Sequence, residues 1–135
     1  MSLSYYVADV FTNKIFSGAQ IAVFPHADDL TTEQMALIAS EMNLSETVFV
    51  SNPNKDKKSR RMRIFSPLAE IDFAGHPIIA TAFVLAHCGE VELQEDITPL
   101  TFIQNVGEID VNVTVKDGKP NFVQFSTKVT SVIDR

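Results

Sequence analysis

The feature that most constrains the fold is a short segment, residues 75–88, whose side chains are apolar on nearly every side. Pro77 stands where the first turn of a helix tolerates proline, and Gly89 stands where the end of a helix favours glycine. Between them, residues 78–86 leave almost no polar face. A helix that is apolar all round is a buried helix. The sequence therefore predicts a central helix with strands wrapped around it.

The remainder of the chain predicts a second helix and a series of strands. Thr31 and Gln34 have the spacing of a capping box before an amphipathic stripe, and Asn43 is a suitable left-handed stop. Asp117-Gly118 is typical of a hairpin turn. Because helices and strands do not alternate strictly, we predict an α+β fold in a single domain over residues 1–135. Short β-branched or aromatic runs predict strands over residues 5–11, 19–24, 46–50, 62–65, 100–103, 108–115 and 121–126.

Composition excludes several classes of protein. The 135 residues are 45% hydrophobic and 21% charged, as in ordinary globular domains. Cys88 is the single cysteine, which excludes an internal disulfide, and a metal centre would need carboxylates beside the three histidines, so we expect no metal site. The longest apolar run is far shorter than the ~20 residues that a bilayer helix needs, and the N-terminus has no signal-peptide pattern. We therefore expect a cytoplasmic, soluble protein with no membrane contact.

A basic cluster interrupts an otherwise acidic chain. Six of the eleven basic residues lie between positions 55 and 63, although the net charge is −6. Such a cluster fits either a nucleic-acid surface or a solvated loop. No aromatic residue is interleaved to stack on bases, and Asn52-Pro53-Asn54 just before it is typical of a turn. We interpret the cluster as a solvated hairpin loop that leads into a strand, and expect no nucleic-acid partner.

Two short segments carry the residues best suited to chemistry. Ser45, Glu46 and Thr47 follow the first helix, and residues 73–77 precede the buried helix. Free backbone N–H groups at a helix start attract an anion, and Gly75 would let a ligand carboxylate approach the backbone. His76 could position or protonate such a ligand, and Glu46 could carry a proton. Composition leaves plainer explanations open, since Glu46 suits a solvent-facing strand start and His76 an ordinary helix start.

At these residues the sequence resembles the phenazine-biosynthesis-like (PhzF-like) family, whose fold is related to that of diaminopimelate epimerase. The resemblance implies a barrel wrapped on one central helix and a proton transfer that uses no metal or organic cofactor. It implies that Glu46 is the proton shuttle, with His76 beside it, and that Ser45 and Gly75 bind the substrate. Ala74 stands where the related epimerases have a catalytic cysteine, so two-thiol racemisation is not available. The family's motifs occur in order as Val10-Phe11-Thr12, residues 18–24, residues 41–49, residues 63–67 and residues 73–77.

The resemblance covers only the first of the two similar domains of a family member. In the family the active site lies between the domains, and the acid supplied by the second domain has no counterpart here. We therefore hypothesise an isomerase half-protein that moves a proton within a small carboxylate substrate. The alternative is a catalytically incomplete domain that acts only as a binding or self-associating module. The flank left uncovered favours a homodimer, or the missing C-terminal half as partner.

Overall fold

The computed structural model describes residues 3–10, 19–53, 55, 58–94 and 96–127. The predicted end of the first strand at Phe11 and the turn before Ala19 lie outside these residues. In chain order the elements are β1 (Tyr6–Val10), β2 (Ala19–Phe24), α1 (Thr32–Met42), β3 (Glu46–Ser51), β4 (Ser59–Phe65), β5 (Glu70–Ile71), α2 (His76–His87), β6 (Ile97–Gln104), β7 (Gly107–Lys116) and β8 (Lys119–Thr127). The predicted order holds, except that the two-residue strand β5 was not foreseen.

The strands form one sheet in the order β1-β2-β3-β4-β6-β7-β8, with β5 paired to the side of β4. β2 lies parallel to β3 and β4 parallel to β6, and the other pairs are antiparallel. Helix α2 crosses over between β5 and β6 and contacts β1, β2, β3 and β8. Because β1 and β8 are the two edges of the sheet, contact of one helix with both shows that the sheet curls around α2.

The two faces of the sheet pack against different helices. We call the face toward α2 the concave face and the opposite one the convex face. Alternate residues of each strand point to opposite faces, so β2 sends Ile21 and Val23 to the concave core and Ala22 and Phe24 to the convex one. The convex cluster is smaller and is completed by residues of α1. The predicted class, α+β with strands wrapped around a buried central helix, is confirmed.

Helix α2 begins and ends as its sequence predicts. Pro77 lies in the first turn, and Gly89 adopts φ +75° just beyond the last. Its N–H donates to the carbonyl of Ala86 at 3.3 Å, and the N–H of Glu90 donates to the carbonyl of Leu85 at 2.9 Å. This pair of bonds is the Schellman arrangement, which satisfies the last carbonyls of a helix.

Burial of α2 is complete on all sides but one. Ile79, Phe83 and Ala86 are only partly buried, and their spacing of four and three residues places them on one stripe. Phe83 and Ala86 line an opening of about 810 Å³ whose other walls include Tyr6 of β1 and Pro120 of β8. The half-barrel is therefore open between its two edge strands.

Helix α1 also confirms its local signals. Gln34 N–H donates to the Thr31 hydroxyl at 3.1 Å, and the Gln34 side chain accepts from the N–H of Thr31 at 2.9 Å, which completes the capping box. Asn43 ends the helix at φ 52°. The hairpin turn between β7 and β8 has positive φ at both Asp117 and Gly118, as predicted.

The interpretation of the basic cluster as a solvated loop is wrong for Arg60 and Arg61, which precede the predicted strand over residues 62–65. β4 begins at Ser59, so Arg60, Arg61 and Arg63 lie on a strand. Arg60 is 8% exposed and donates to the carbonyl of Glu90 at 3.0 Å. The error arose because arginine stems can pack along apolar surface while their guanidinium groups bond to backbone carbonyls. Within the described residues, no helix is long and apolar enough to span a membrane.

Candidate functional site

Glu46 is the first residue of β3 and belongs to its concave side. It pairs in register with Ile21 of β2, and it precedes Val48 and Val50, which both pack into the concave core, by two and four positions. Its side chain is half-buried. No hydrogen bond or ion pair joins the Glu46 carboxylate to another side chain within the described part of the chain. Among the described residues the carboxylate therefore has no fixed partner, and it lies at the end of the concave face where β3 begins.

His76, the first residue of α2, lies close enough for its charge to act on Glu46. Burial raises the pKa of the Glu46 carboxyl above its ordinary value, and the nearby His76 partly offsets this by lowering it. The structure thus brings together the two residues that the sequence predicts as catalytic, at the end of the half-barrel where α2 begins. We call this the site end.

The start of α2 offers a restricted set of backbone donors. The N–H of Ala74 faces the Gln104 side-chain oxygen at 3.4 Å, and Pro77 has no N–H. The N–H groups of Ile78 and Ile79 both point to the carbonyl of Gly75, at 3.0 and 3.4 Å. Among the described groups this leaves the N–H of Gly75 and of His76 for a ligand. Two adjacent N–H groups at the positive end of a helix are suited to hold one carboxylate.

A neighbouring aromatic ring leaves no room for a side chain at Gly75. Its φ of −82° is open to any residue, so the backbone does not require glycine. A Cβ at this position would lie 3.0 Å from the ring tip of Phe125 on β8. The ring of Phe73 lies 6.4 Å from that of Phe125 between centroids, and both side chains are partly exposed. The Phe125 ring therefore occupies the space that a side chain at position 75 would need, and Phe73, of the same segment of chain, lies beside that ring.

Ser45 lies in the exposed bend between α1 and β3, directly before Glu46. Its predicted role in binding substrate stays a prediction, as does that of Gly75. No three side chains of the His, Cys, Asp and Glu type converge as a metal site within the described ranges.

Sequence reasoning missed Gln104, the last residue of β6. The side chain is 2% exposed and contacts both backbone polar groups of Ala74, with its oxygen 3.4 Å from the N–H nitrogen and its nitrogen 3.4 Å from the carbonyl oxygen. A signal was present, because Thr98, Leu100, Phe102 and Gln104 share the concave side of β6. A glutamine that ends an apolar inward row needs a partner.

A charged network covers the convex side of the same end. Arg63 donates two hydrogen bonds of 2.8 Å to the carboxylate of Glu70 and one of 2.9 Å to the hydroxyl of Thr32. Asn105 donates to Glu70 at 3.1 Å and to Asp72 at 3.2 Å. The bonds from Arg63 hold the pKa of the Glu70 carboxyl below its ordinary value. This network ties β4, β5 and the end of β6 together just before the chain enters α2.

Comparison with known proteins agrees with these features. The model of the phenazine biosynthesis-like protein family matches residues 8–130. An uncharacterised isomerase of Pasteurella multocida is 41% identical over 90% of this chain, and the trans-2,3-dihydro-3-hydroxyanthranilate isomerase of Pseudomonas aeruginosa is 38% identical over 85% of it. The crystal structure of a phenazine biosynthesis protein of the PhzF family from Bacillus anthracis superimposes with a TM-score of 0.75 at 29% identity, over 93% of this chain.

The chain is much shorter than these proteins. It spans 46% of the Pasteurella isomerase, 39% of the Pseudomonas isomerase and 40% of the Bacillus structure. The resemblance therefore concerns less than half of each relative.

Proposed function

The chain belongs to the phenazine biosynthesis-like protein family, and we propose that it supplies the proton-carrying half of an isomerase acting on a small carboxylate substrate. The observation that carries the proposal is the half-buried Glu46 carboxyl, whose pKa is raised by burial, beside His76 at the start of α2. A proton carrier works best when its pKa lies near the working pH, and a raised pKa moves a glutamate in that direction.

In the proposed reaction the substrate carboxylate accepts hydrogen bonds from the N–H groups of Gly75 and His76. Glu46 in its ionised form removes a proton from one carbon of the substrate and, once protonated, returns it to another carbon. The bond shifts within the substrate, so no electrons or groups leave it. The imidazole of His76 donates to the substrate and stabilises negative charge as it develops. Since only groups of the chain act, the scheme needs no metal or organic cofactor.

A cyclic, unsaturated acid suits the surroundings of these donors. Phe73 and Phe125 border the start of α2 with partly exposed rings, and aromatic rings pack well against a flat ring of a ligand. The Pseudomonas relative named above is an isomerase of trans-2,3-dihydro-3-hydroxyanthranilate. We propose this compound, or another small ring acid, as the substrate class.

A second candidate function is supported by the edge strands. Tyr5 and Val7, in or just before β1, are about half-exposed, as is Phe122 of β8, and the opening between the two edges is lined mainly by apolar groups. Such exposed apolar surface is typical of an interface. On this proposal the chain is catalytically incomplete and acts as a binding or self-associating module, with a second copy or a separate C-terminal half as partner.

Binding and isotope exchange separate the two candidates. The chain is titrated by NMR with 2-aminobenzoate, a stable aromatic carboxylate, and is then incubated in D₂O with trans-2,3-dihydro-3-hydroxyanthranilate. We expect shifts of the Gly75 and His76 amide signals and deuterium incorporation into the substrate. Incorporation should disappear in Glu46→Gln and persist in Glu41→Gln, which alters an exposed glutamate of α1.

Each outcome has a distinct meaning. Incorporation that survives Glu46→Gln would show that Glu46 is not the proton carrier. Binding without incorporation would support the incomplete module, and sedimentation should then give a species heavier than the 15.0 kDa monomer. A protein that neither binds the probe nor exchanges the substrate would contradict carboxylate binding at the site end.

A further inference from the structure

We propose that Gln104 is a positioning residue of the site end, which aims the Gly75 N–H group by holding the peptide unit that carries it. The inference rests on the proposed carboxylate binding at the start of α2 and assigns a role to a side chain on another strand. Gln104 lies at the end of β6 and does not need to touch the substrate.

The peptide bond that joins Ala74 to Gly75 is planar. The carbonyl of Ala74 and the N–H of Gly75 belong to the same planar unit and point in opposite directions. The side-chain nitrogen of Gln104 lies 3.4 Å from the Ala74 carbonyl oxygen, so that carbonyl points toward the buried glutamine. The Gly75 N–H must then point away from Gln104. Rotation of this one peptide unit would turn the donor away from any ligand.

The contact is two-sided, which makes it more restrictive than one hydrogen bond. The side-chain oxygen of Gln104 also lies 3.4 Å from the Ala74 nitrogen, so one planar amide spans both polar groups of a single residue. The same amide nitrogen lies 3.6 Å from the sulfur of Met62. Because Gln104 is 2% exposed, water does not compete freely for these groups.

The next residue secures the same segment from the opposite face. Asn105 donates to Glu70 and Asp72 on the convex side, whereas Gln104 meets Ala74 on the concave side. Residues 70–74 are thus held at both sides, by Gln104 at the end of β6 and by Asn105 directly after it, before the chain enters α2. The geometry of the segment depends on β6, a strand that local sequence patterns do not connect with it.

The test compares two buried polar residues of the same strand. Gln104→Leu removes the amide at nearly constant size, and Gln104→Met is the second variant in case the first misfolds. Thr98→Val is the matched control, because Thr98 is also 2% exposed and its hydroxyl accepts the Gln94 N–H at 2.8 Å, away from the site end. Three quantities are measured by NMR for each protein: amide exchange of residues 74–76, the titration of Glu46, and the affinity for 2-aminobenzoate.

We expect Gln104→Leu to speed amide exchange at Ala74, whose N–H group loses its acceptor, by about fivefold or more, the factor that corresponds to one lost hydrogen bond. The pKa of Glu46 should rise further, because a displaced His76 lowers it less. Affinity for the probe should fall by a similar factor of about five. Thr98→Val should reduce stability while leaving all three quantities at the wild-type value.

A general loss of stability would change the measured quantities alike in Gln104→Leu and in Thr98→Val. The Thr98→Val control therefore separates an effect on positioning from an effect on packing. Exchange and Glu46 titration that stay at the wild-type value in both Gln104 variants would overturn the inference. If these two readouts change as expected while the wild-type protein does not bind the probe, the positioning stands and the proposed function fails. The two hypotheses are therefore tested separately.

Discussion

The two faces of the sheet treat a half-buried glutamate in opposite ways. On the convex face, Glu70 accepts two hydrogen bonds from Arg63 and one from Asn105, and the pKa of its carboxyl is held low. On the concave face, burial raises the pKa of the Glu46 carboxyl, although the nearby His76 partly offsets the shift. A carboxylate with fixed partners is locked in one charge state, whereas one without them can gain and lose a proton. The comparison indicates a structural role for Glu70 and is consistent with the proton transfer that we propose for Glu46.

The largest expected change in stability distinguishes the concave core from the convex core. Leu85 of α2 is 0% exposed and is enclosed by strands, whereas Met35 of α1 is 6% exposed on the outer helix. We expect Leu85→Ala to lower the free energy of unfolding by about 3–5 kcal/mol and Met35→Ala by about 2–3 kcal/mol, because the outer helix can settle into the space left behind.

Chemical denaturation of both variants measures this difference, with Leu37→Ala as control. Leu37 is 64% exposed on α1, so its truncation should change stability by less than about 0.5 kcal/mol. Equal losses for Leu85→Ala and Met35→Ala would show that the concave core is no more tightly enclosed than the convex one.

A change in stability of intermediate size is expected when Glu70, the carboxylate paired with Arg63, is replaced. Glu70→Gln weakens the bidentate contact with Arg63 and should cost about 1–2 kcal/mol at neutral pH. Since the folded pKa of Glu70 lies below its unfolded value, the stabilisation is present above about pH 4.3 and is lost as the pH falls further. Thermal melts of wild type and variant from pH 7 to pH 3 should therefore converge at the acid end. A constant difference across that range would refute the pairing as its cause.

The smallest change in stability is expected at Glu46, where the substitution should stabilise the protein. The pKa of Glu46 is higher in the folded state than in the unfolded state, so the folded state binds the proton more tightly. The free energy of unfolding therefore falls as the pH rises from the unfolded pKa to the folded pKa. Glu46→Gln removes the desolvated charge and should raise the melting temperature slightly at neutral pH. The gain should vanish below the ordinary glutamate pKa. A variant that melts lower than wild type at pH 7 would mean that the ionised Glu46 is itself stabilising.

Local signals were sufficient to predict the helices of this fold. The capping box at Thr31, the stop at Asn43 and the Gly89 end of α2 depend on residues within one or two turns of each other. The alternation along β7 and the turn at Asp117-Gly118 are equally local. These features could be predicted because the residues that satisfy each backbone group are close in the sequence.

Features that depend on distant pairing could not be predicted in this way. Gln104 meets Ala74 across 30 residues, and β5 exists because Glu70 and Ile71 pair with β4. Phe125 reaches Gly75 from the last strand. In the basic cluster, no local pattern distinguishes an arginine in a loop from one whose guanidinium bonds to a distant carbonyl, as Arg60 does with Glu90.

The candidate site could be predicted only with the help of the family resemblance. From composition, Glu46 and His76 each had an ordinary explanation, and nothing in the spacing of residues 46 and 76 indicates that they meet. The resemblance predicted that they share a site, and the raised pKa of Glu46 beside His76 agrees with that prediction. The family resemblance did not point to Phe125 or Gln104, because the matched motifs end at position 77 and both residues lie on later strands.

The parallel pairing of β4 with β6 has a kinetic consequence. Arg61 and Ile103 pair across 42 residues, with α2 inside the loop, whereas β6, β7 and β8 follow one another as hairpins. Closing a long loop costs chain entropy before any contact rewards it, so the hairpins can form early and the β4–β6 pairing late. Because that later step also encloses α2 and brings Gln104 beneath Ala74, we expect the core and the proposed site to form together during folding.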